Sequence, residues 1–149
     1  SNHAYGVAGA GGLVSVPFHG LYCASKFAVE GLTEALRLEV APFGVKVSLV
    51  EPGDYKTGFT SVRKICGAAR NCSPYSDIFE KSLTAMEKSE KSAPPPDDVA
   101  RLIVKIVETP RPKLRYCVAP GAQKLVPFAE KFFPRAVLDS IITSQYGNI

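Results

Sequence analysis

The stretch Leu21-Tyr22-Cys23-Ala24-Ser25-Lys26-Phe27-Ala28-Val29-Glu30-Gly31 opens a long helical pattern and sets a tyrosine and a lysine four residues apart. Residues at i and i+4 are neighbours on one helix face, so the phenol and the ammonium can point at one site. A free tyrosine has a pKa near ~10 and is a poor acid or base at neutral pH. A neighbouring lysine charge favours the phenolate and is expected to lower that pKa. Such a pair can give or take a proton at a carbonyl or alcohol oxygen. Tyrosine and lysine are also common on exposed helices, so the residues around the pair have to decide between chemistry and a solvated face.

Working outward, the periodicity predicts a helix over residues 21–43, with Ala28, Leu32, Ala35, Leu36 and Val40 forming an apolar stripe. Gly31 inside it costs roughly 1 kcal/mol relative to alanine, which points to a close packing neighbour. Pro42 and Gly44 supply the stop. Residues 45–51 read as a largely buried strand, with Val45, Val47 and Leu49 on one face and Val50 on the other. Pro52-Gly53 ends it sharply. Open α/β sheets bind ligands just beyond the carboxyl ends of their strands, so the loop after this strand is placed to meet one.

Tyr22-Cys23-Ala24-Ser25-Lys26-Phe27-Ala28, then Gly44-Val45-Lys46-Val47, then Glu51-Pro52-Gly53-Asp54-Tyr55-Lys56-Thr57 resembles, in that order, the short-chain dehydrogenases/reductases. The wording is similar to that of the classical members acting on steroids, retinoids and other secondary alcohols or ketones. The match is ordered over residues 12–57 and general in character beyond them. The resemblance implies an α/β fold, the C-terminal portion of a Rossmann-like doubly wound parallel sheet whose N-terminal half is absent here. Residues 1–149 would then be part of a single NAD(P)-binding domain, with the catalytic helix, a strand and the cofactor loop in 1–57 and a substrate lid and C-terminal elements in 58–149.

The resemblance also implies roles. Tyr22 would exchange the proton with the substrate oxygen; Lys26 would lower its pKa and hold the nicotinamide ribose hydroxyls. Pro52, Gly53, the main chain of Tyr55 and the Thr57 hydroxyl would meet the carboxamide of NAD or NADP. The substrate would be a small apolar alcohol or ketone, and the 21–43 helix would pack against its copy in a homo-oligomer. A core helix of one monomer explains the apolar stripe equally well. The family pattern carries a serine thirteen residues before the tyrosine; that position here is Gly9, and Ser15 is a poor substitute. The lost serine leaves a second reading open, a non-catalytic relative used for protein interaction or dimerisation.

Composition sets the outer limits. In 149 residues, 46% are apolar and 21% charged, an ordinary globular balance. The 18 basic and 14 acidic residues leave a formal +4 that is spread along the chain, which gives little support to a nucleic-acid surface. No apolar run reaches the length of a membrane span, and no basic-then-apolar leader is present, so a cytoplasmic location is expected. Cys23, Cys66, Cys72 and Cys117 match no zinc spacing and read as reduced thiols. No metal site is expected. Gly6, Gly9, Gly11 and Gly12 nearly spell a dinucleotide fingerprint, but too few residues precede them for a strand, and the run reads as a flexible turn. His19, three residues before Tyr22, reads as a loop histidine facing solvent, with substrate contact the alternative.

Residues 59–76 are irregular and, by the same resemblance, would form a mobile lid. A helix follows over 77–91, then the stiff Pro94-Pro95-Pro96 connector. Asp97 and Asp98 favour a helix start, and Val99, Leu102, Ile103, Ile106 and Val107 continue it to Pro110. Residues 114–118 read as a final strand. Residues 122–144 read as two helical pieces broken at Pro134, covering a substrate pocket or another subunit; their polar face is not basic enough for a membrane surface.

Overall fold

The computed structural model describes residues 3–7, 14–58, 60–65, 67 and 74–146. Strands β1 (His3–Val7), β2 (Lys46–Pro52) and β3 (Arg115–Val118) form a parallel sheet in the order β1-β2-β3. Helix α1 (Gly20–Val40) crosses between β1 and β2 and ends in a 3-10 turn, Ala41–Phe43. Helices α2 (Ser76–Ser92) and α3 (Asp97–Glu108) cross between β2 and β3. A 3-10 turn, Gly121–Leu125, then leads into α4 (Val126–Phe132) and α5 (Arg135–Gln145).

The central strand holds the core. Val47, Leu49 and Val50 are fully buried, as a strand paired on both edges requires, and each such side chain contributes about 1.5–3 kcal/mol of burial. Register runs from His3↔Lys46 to Val7↔Val50 on one edge and from Leu49↔Arg115 to Pro52↔Val118 on the other. Gly6 and Val7 are therefore strand residues, not part of a flexible turn: backbone pairing with the parallel β2 defines the strand there. Residues 8–13, with Gly9 and the rest of the glycine run, lie outside the described residues. Ile106 of α3 is fully buried, and Leu83 and Met86 of α2 and Leu138 of α5 are buried as well.

Two expectations about α1 are corrected. Its buried residues are Cys23, Glu30 and Thr33, whereas Ala28, Leu32 and Ala35 are exposed and Leu36 and Val40 only half-buried. Helical periodicity gives the spacing of a stripe but not the direction it faces, and here the sheet-facing side is the polar one. Arg37 on that side donates to the carbonyls of Val47 and of Pro112, the latter at 3.1 Å. Gly31 meets nothing within 4 Å of where a Cβ would stand, so it marks no close approach among the described residues.

Candidate active site

Because all three strands run in parallel, the start of α1, the loop after β2 and the turn after β3 lie at one edge of the sheet, its carboxyl end. Tyr22 and Lys26 stand in the first two turns of α1, with the Lys26 Nζ 5.4 Å from the centre of the Tyr22 ring. His19, the residue that starts the helix, is half-buried and lies edge-on to the same ring at 6.0 Å. It is thus a packing neighbour of Tyr22 that remains partly open to solvent. Phe18, just before it, has a left-handed backbone (φ 59°), uncommon for an aromatic residue, and packs edge-on at 5.4 Å against Phe79 of α2. Ser15 is exposed.

The Tyr22 hydroxyl, 37% exposed as a residue, is held above its ordinary pKa of 10.0. Partial burial is the main cause, followed by the charges of Cys23 and Asp54. The net shift is therefore upward and not downward as expected from Lys26, whose ammonium stands over the ring face in a cation–π position. Asp54, in the loop after β2, is thus near enough for its charge to act on this phenol.

That loop, Pro52 through Thr57, is held on every side. The Gly53 amide donates to the Val118 carbonyl at 2.9 Å, and the Lys56 amide to the Pro94 carbonyl at 2.8 Å. The Asp54 amide donates to Gln123 Oε1 at 2.8 Å, and Gln123 Nε2 donates back to Asp54 Oδ2 at 2.9 Å. Ser89 Oγ of α2 donates to the same Oδ2 at 2.8 Å. The Tyr55 side chain is buried, and its hydroxyl donates to Asp98 Oδ2 at 2.9 Å, which helps push its pKa up to about 12 after burial. Tyr55 thus turns its ring toward α3, leaving its main chain as its contribution to the loop. Thr57 is exposed. Asp97 and Asp98 do start α3, but the carboxylate of Asp98 is shared between the Val99 amide at 3.0 Å and the Tyr55 hydroxyl.

Gly53 is the residue this arrangement requires. A Cβ there would stand 2.6 Å from the Ala119 Cβ and collide with Gln123 Oε1. Gly53→Ala is expected to cost about 1–3 kcal/mol by overpacking and to push the loop off Ala119. Chemical denaturation of the full-length protein checks it; an unchanged midpoint would mean the two segments do not approach this closely.

A charge cluster that the sequence did not reveal joins α1, β2 and β3. Glu51 of β2, 3% exposed, and Glu30 of α1, 8% exposed, flank Arg115 of β3, whose Nε stands 3.0 Å from Glu30 Oε2 and 3.4 Å from Glu51 Oε1. Arg115 also pairs with Glu34. Two buried carboxylates against one guanidinium leave a deficit of positive charge, and Glu51 is pushed up to about 7, by burial first and then by Glu30. The sequence signal was a glutamate at the end of an otherwise apolar strand, which had no partner in view. Of the expected lid, residues 59, 66 and 68–73 lie outside the described residues; Arg63 pairs with Glu90 of α2 at 2.7 Å.

A three-stranded parallel sheet with a tyrosine and lysine one turn apart beside a clamped loop at its carboxyl edge defines an open α/β protein of the dinucleotide-binding architecture. Residues 6–64 match the short chain dehydrogenase family. The chain is 42% identical over 137 residues to 3-ketodihydrosphingosine reductase of Bacteroides thetaiotaomicron, covering 92% of this chain and 51% of that protein. Among solved structures it is similar to a short-chain dehydrogenase from Streptomyces avermitilis, with a TM-score of 0.64 at 23% identity, over 100% of this chain and 53% of the other. It is also similar to a short chain dehydrogenase/reductase from Burkholderia phymatum in complex with NAD, with a TM-score of 0.58 at 30% identity, over 76% and 42%. The chain belongs to the short-chain dehydrogenase/reductase family. It spans about half the length of the curated relatives it matches first. Among the described residues, no helix is long and apolar enough to cross a membrane.

Proposed function

We propose that the full-length protein is an NAD- or NADP-dependent oxidoreductase that interconverts an apolar alcohol and its ketone or aldehyde, with Tyr22 as the proton-exchanging group. The observation that carries this reading is the Tyr22 and Lys26 pair beside a loop clamped at the carboxyl edge of a parallel sheet. The relatives fit it: one is named a reductase of a ketone, and one solved relative holds NAD. The donor set also fits a nicotinamide nucleoside, since a phenol, an ammonium, a threonine hydroxyl and main-chain groups match a ribose diol and a neutral carboxamide.

When bound, the cofactor supplies or takes the hydride. Tyr22, with its pKa raised, is a protonated phenol at neutral pH and suits donation to a carbonyl oxygen. Lys26 holds the ribose hydroxyls. The amides of Gly53, Asp54 and Lys56 are engaged within the protein, and the main chain of Tyr55 and the Thr57 hydroxyl are the groups of this loop that meet the carboxamide in this reading. Residues 1–57 carry this machinery, and residues 58–149 supply the lid and the C-terminal cover. Leu32 and its exposed neighbours on α1 support a homo-oligomer formed through this helix. A cytoplasmic location goes with the same reading, in keeping with the free thiols Cys23 and Cys117.

The test is a hydride-transfer assay on the full-length protein, following nicotinamide absorbance with a panel of sphingoid, steroid and simple aliphatic ketones. Ketone-dependent oxidation of NADH or NADPH is expected. A folded full-length protein that binds neither dinucleotide would reject the reading.

A further inference from the structure

Gln123 does something that no other side chain of its length can do. Its amide oxygen accepts the Asp54 main-chain N–H at 2.8 Å while its amide nitrogen donates to the Asp54 carboxylate at 2.9 Å. A glutamate would set a carboxylate against a carboxylate, and a lysine could not accept. The approach is close enough that only a glycine fits at position 53. On its other side the Asp54 carboxylate takes the Ser89 hydroxyl at 2.8 Å, so one oxygen of Asp54 joins the turn after β3 to helix α2. Helix α2 also bears Phe79, which packs on Phe18 at the entrance of α1. A single residue of the loop thus links three segments that lie far apart in sequence, and its charge acts on the Tyr22 phenol.

We propose that Gln123 and Ser89 are positioning residues that act through Asp54 to hold the loop after β2 in the form that receives the nicotinamide cofactor. The inference rests on the cofactor reading given above. Neither residue touches the reacting atoms. Gln123 fixes where the Asp54 main chain stands, and through it the Tyr55 and Thr57 groups that follow. Ser89 makes the same loop sensitive to the position of α2, which borders the expected substrate lid. An engaged α2 and a well-placed cofactor loop therefore favour one another.

The experiment uses the full-length protein and titrates NADH and NADPH by fluorescence, with thermal melting measured in parallel. Gln123→Glu is expected to weaken binding of the preferred dinucleotide about tenfold or more at pH 8. Combining it with Asp54→Asn reverses the polarity of the pair: the new carboxylate still accepts the main-chain N–H, and the side-chain amide introduced at position 54 donates to it. That double variant is expected to recover to within about threefold of the parent. A side chain needed only for folding would lower the melting temperature without this loss and recovery of affinity. Ser89→Ala, at a half-buried position, is expected to weaken binding about threefold and covers the case in which Gln123→Glu does not fold. Unchanged affinity in a folded Gln123→Glu or in Ser89→Ala, or a folded double variant that fails to recover, overturns the inference while leaving the cofactor reading intact. A parent protein that binds neither dinucleotide overturns both.

Discussion

Tyr22→Phe in the full-length protein is expected to lower kcat by about 10²–10⁴-fold while leaving dinucleotide affinity close to that of the parent. The variant removes one oxygen and little else. The ring remains for the Lys26 ammonium, 5.4 Å from its centre, and for the edge of His19 at 6.0 Å, so the entrance of α1 keeps its packing. What is lost is the group that can exchange a proton with the substrate oxygen. The pH profile separates this role from a structural one. The parent should lose reductase activity only at alkaline pH as a phenol held above 10.0 ionises, and the variant should lack that limb. Retained turnover would remove Tyr22 from the chemistry and leave Lys26 as a feature of an exposed helix face.

The second large effect is on stability. Arg115→Ala removes the positive charge that faces Glu51, Glu30 and Glu34. Stranding a buried carboxylate typically costs about 3–5 kcal/mol. Arg115 is 40% exposed, so part of its charge is already screened, and a loss of roughly 2–3 kcal/mol at pH 8 is expected. The sign of the pH dependence is set by Glu51, raised in the folded protein from 4.5 to about 7. Between those values the folded state holds a proton that the unfolded chain releases, so stability falls as pH rises from 4.5 through 7. A shift of that size corresponds to about 3 kcal/mol at most. Glu51→Gln should therefore stabilise the protein above pH 7 and have little effect below pH 4.5, while the cost of Arg115→Ala should shrink toward acid pH. Denaturation midpoints at pH 5 and pH 8 read both. A Glu51→Gln variant less stable than its parent at pH 8 would show that the ionised carboxylate is well paired, contrary to this account.

These two predictions rest on residues of different visibility. Tyr22 and Lys26 could be found from their spacing and the residues around them, because one helical turn puts any i, i+4 pair on one face and the flanking sequence singles this pair out. The loop after β2 could be found because an apolar strand ended by Pro52-Gly53 must deliver its next residues to a sheet edge. Arg115 could not. It is 85 residues from Glu30, and nothing local in Leu114-Arg115-Tyr116 distinguishes a solvated arginine from one that faces two buried carboxylates. Gln123 is similar, lying 69 residues from Asp54 in a stretch that reads only as helical.

By itself the sequence determined the order of the elements from α1 onward, the place of the Tyr22 and Lys26 pair on α1 and the place of the loop beyond β2. Each follows from local rules: apolar spacing, proline and glycine stops, and the neighbour relation within one helical turn. The tertiary structure alone decided which way those elements face. It turned the polar side of α1, with Glu30 and Thr33, toward the sheet and left Leu32 outward. It moved the need for a glycine from Gly31 to Gly53, where Ala119 closes in. It also raised the pKa of Tyr22 where the helix alone promised to lower it, because burial, the main cause, is a product of the packed fold. Periodicity is a property of one segment, whereas facing, burial and charge balance belong to pairs of segments, and only the parallel sheet brings those pairs together.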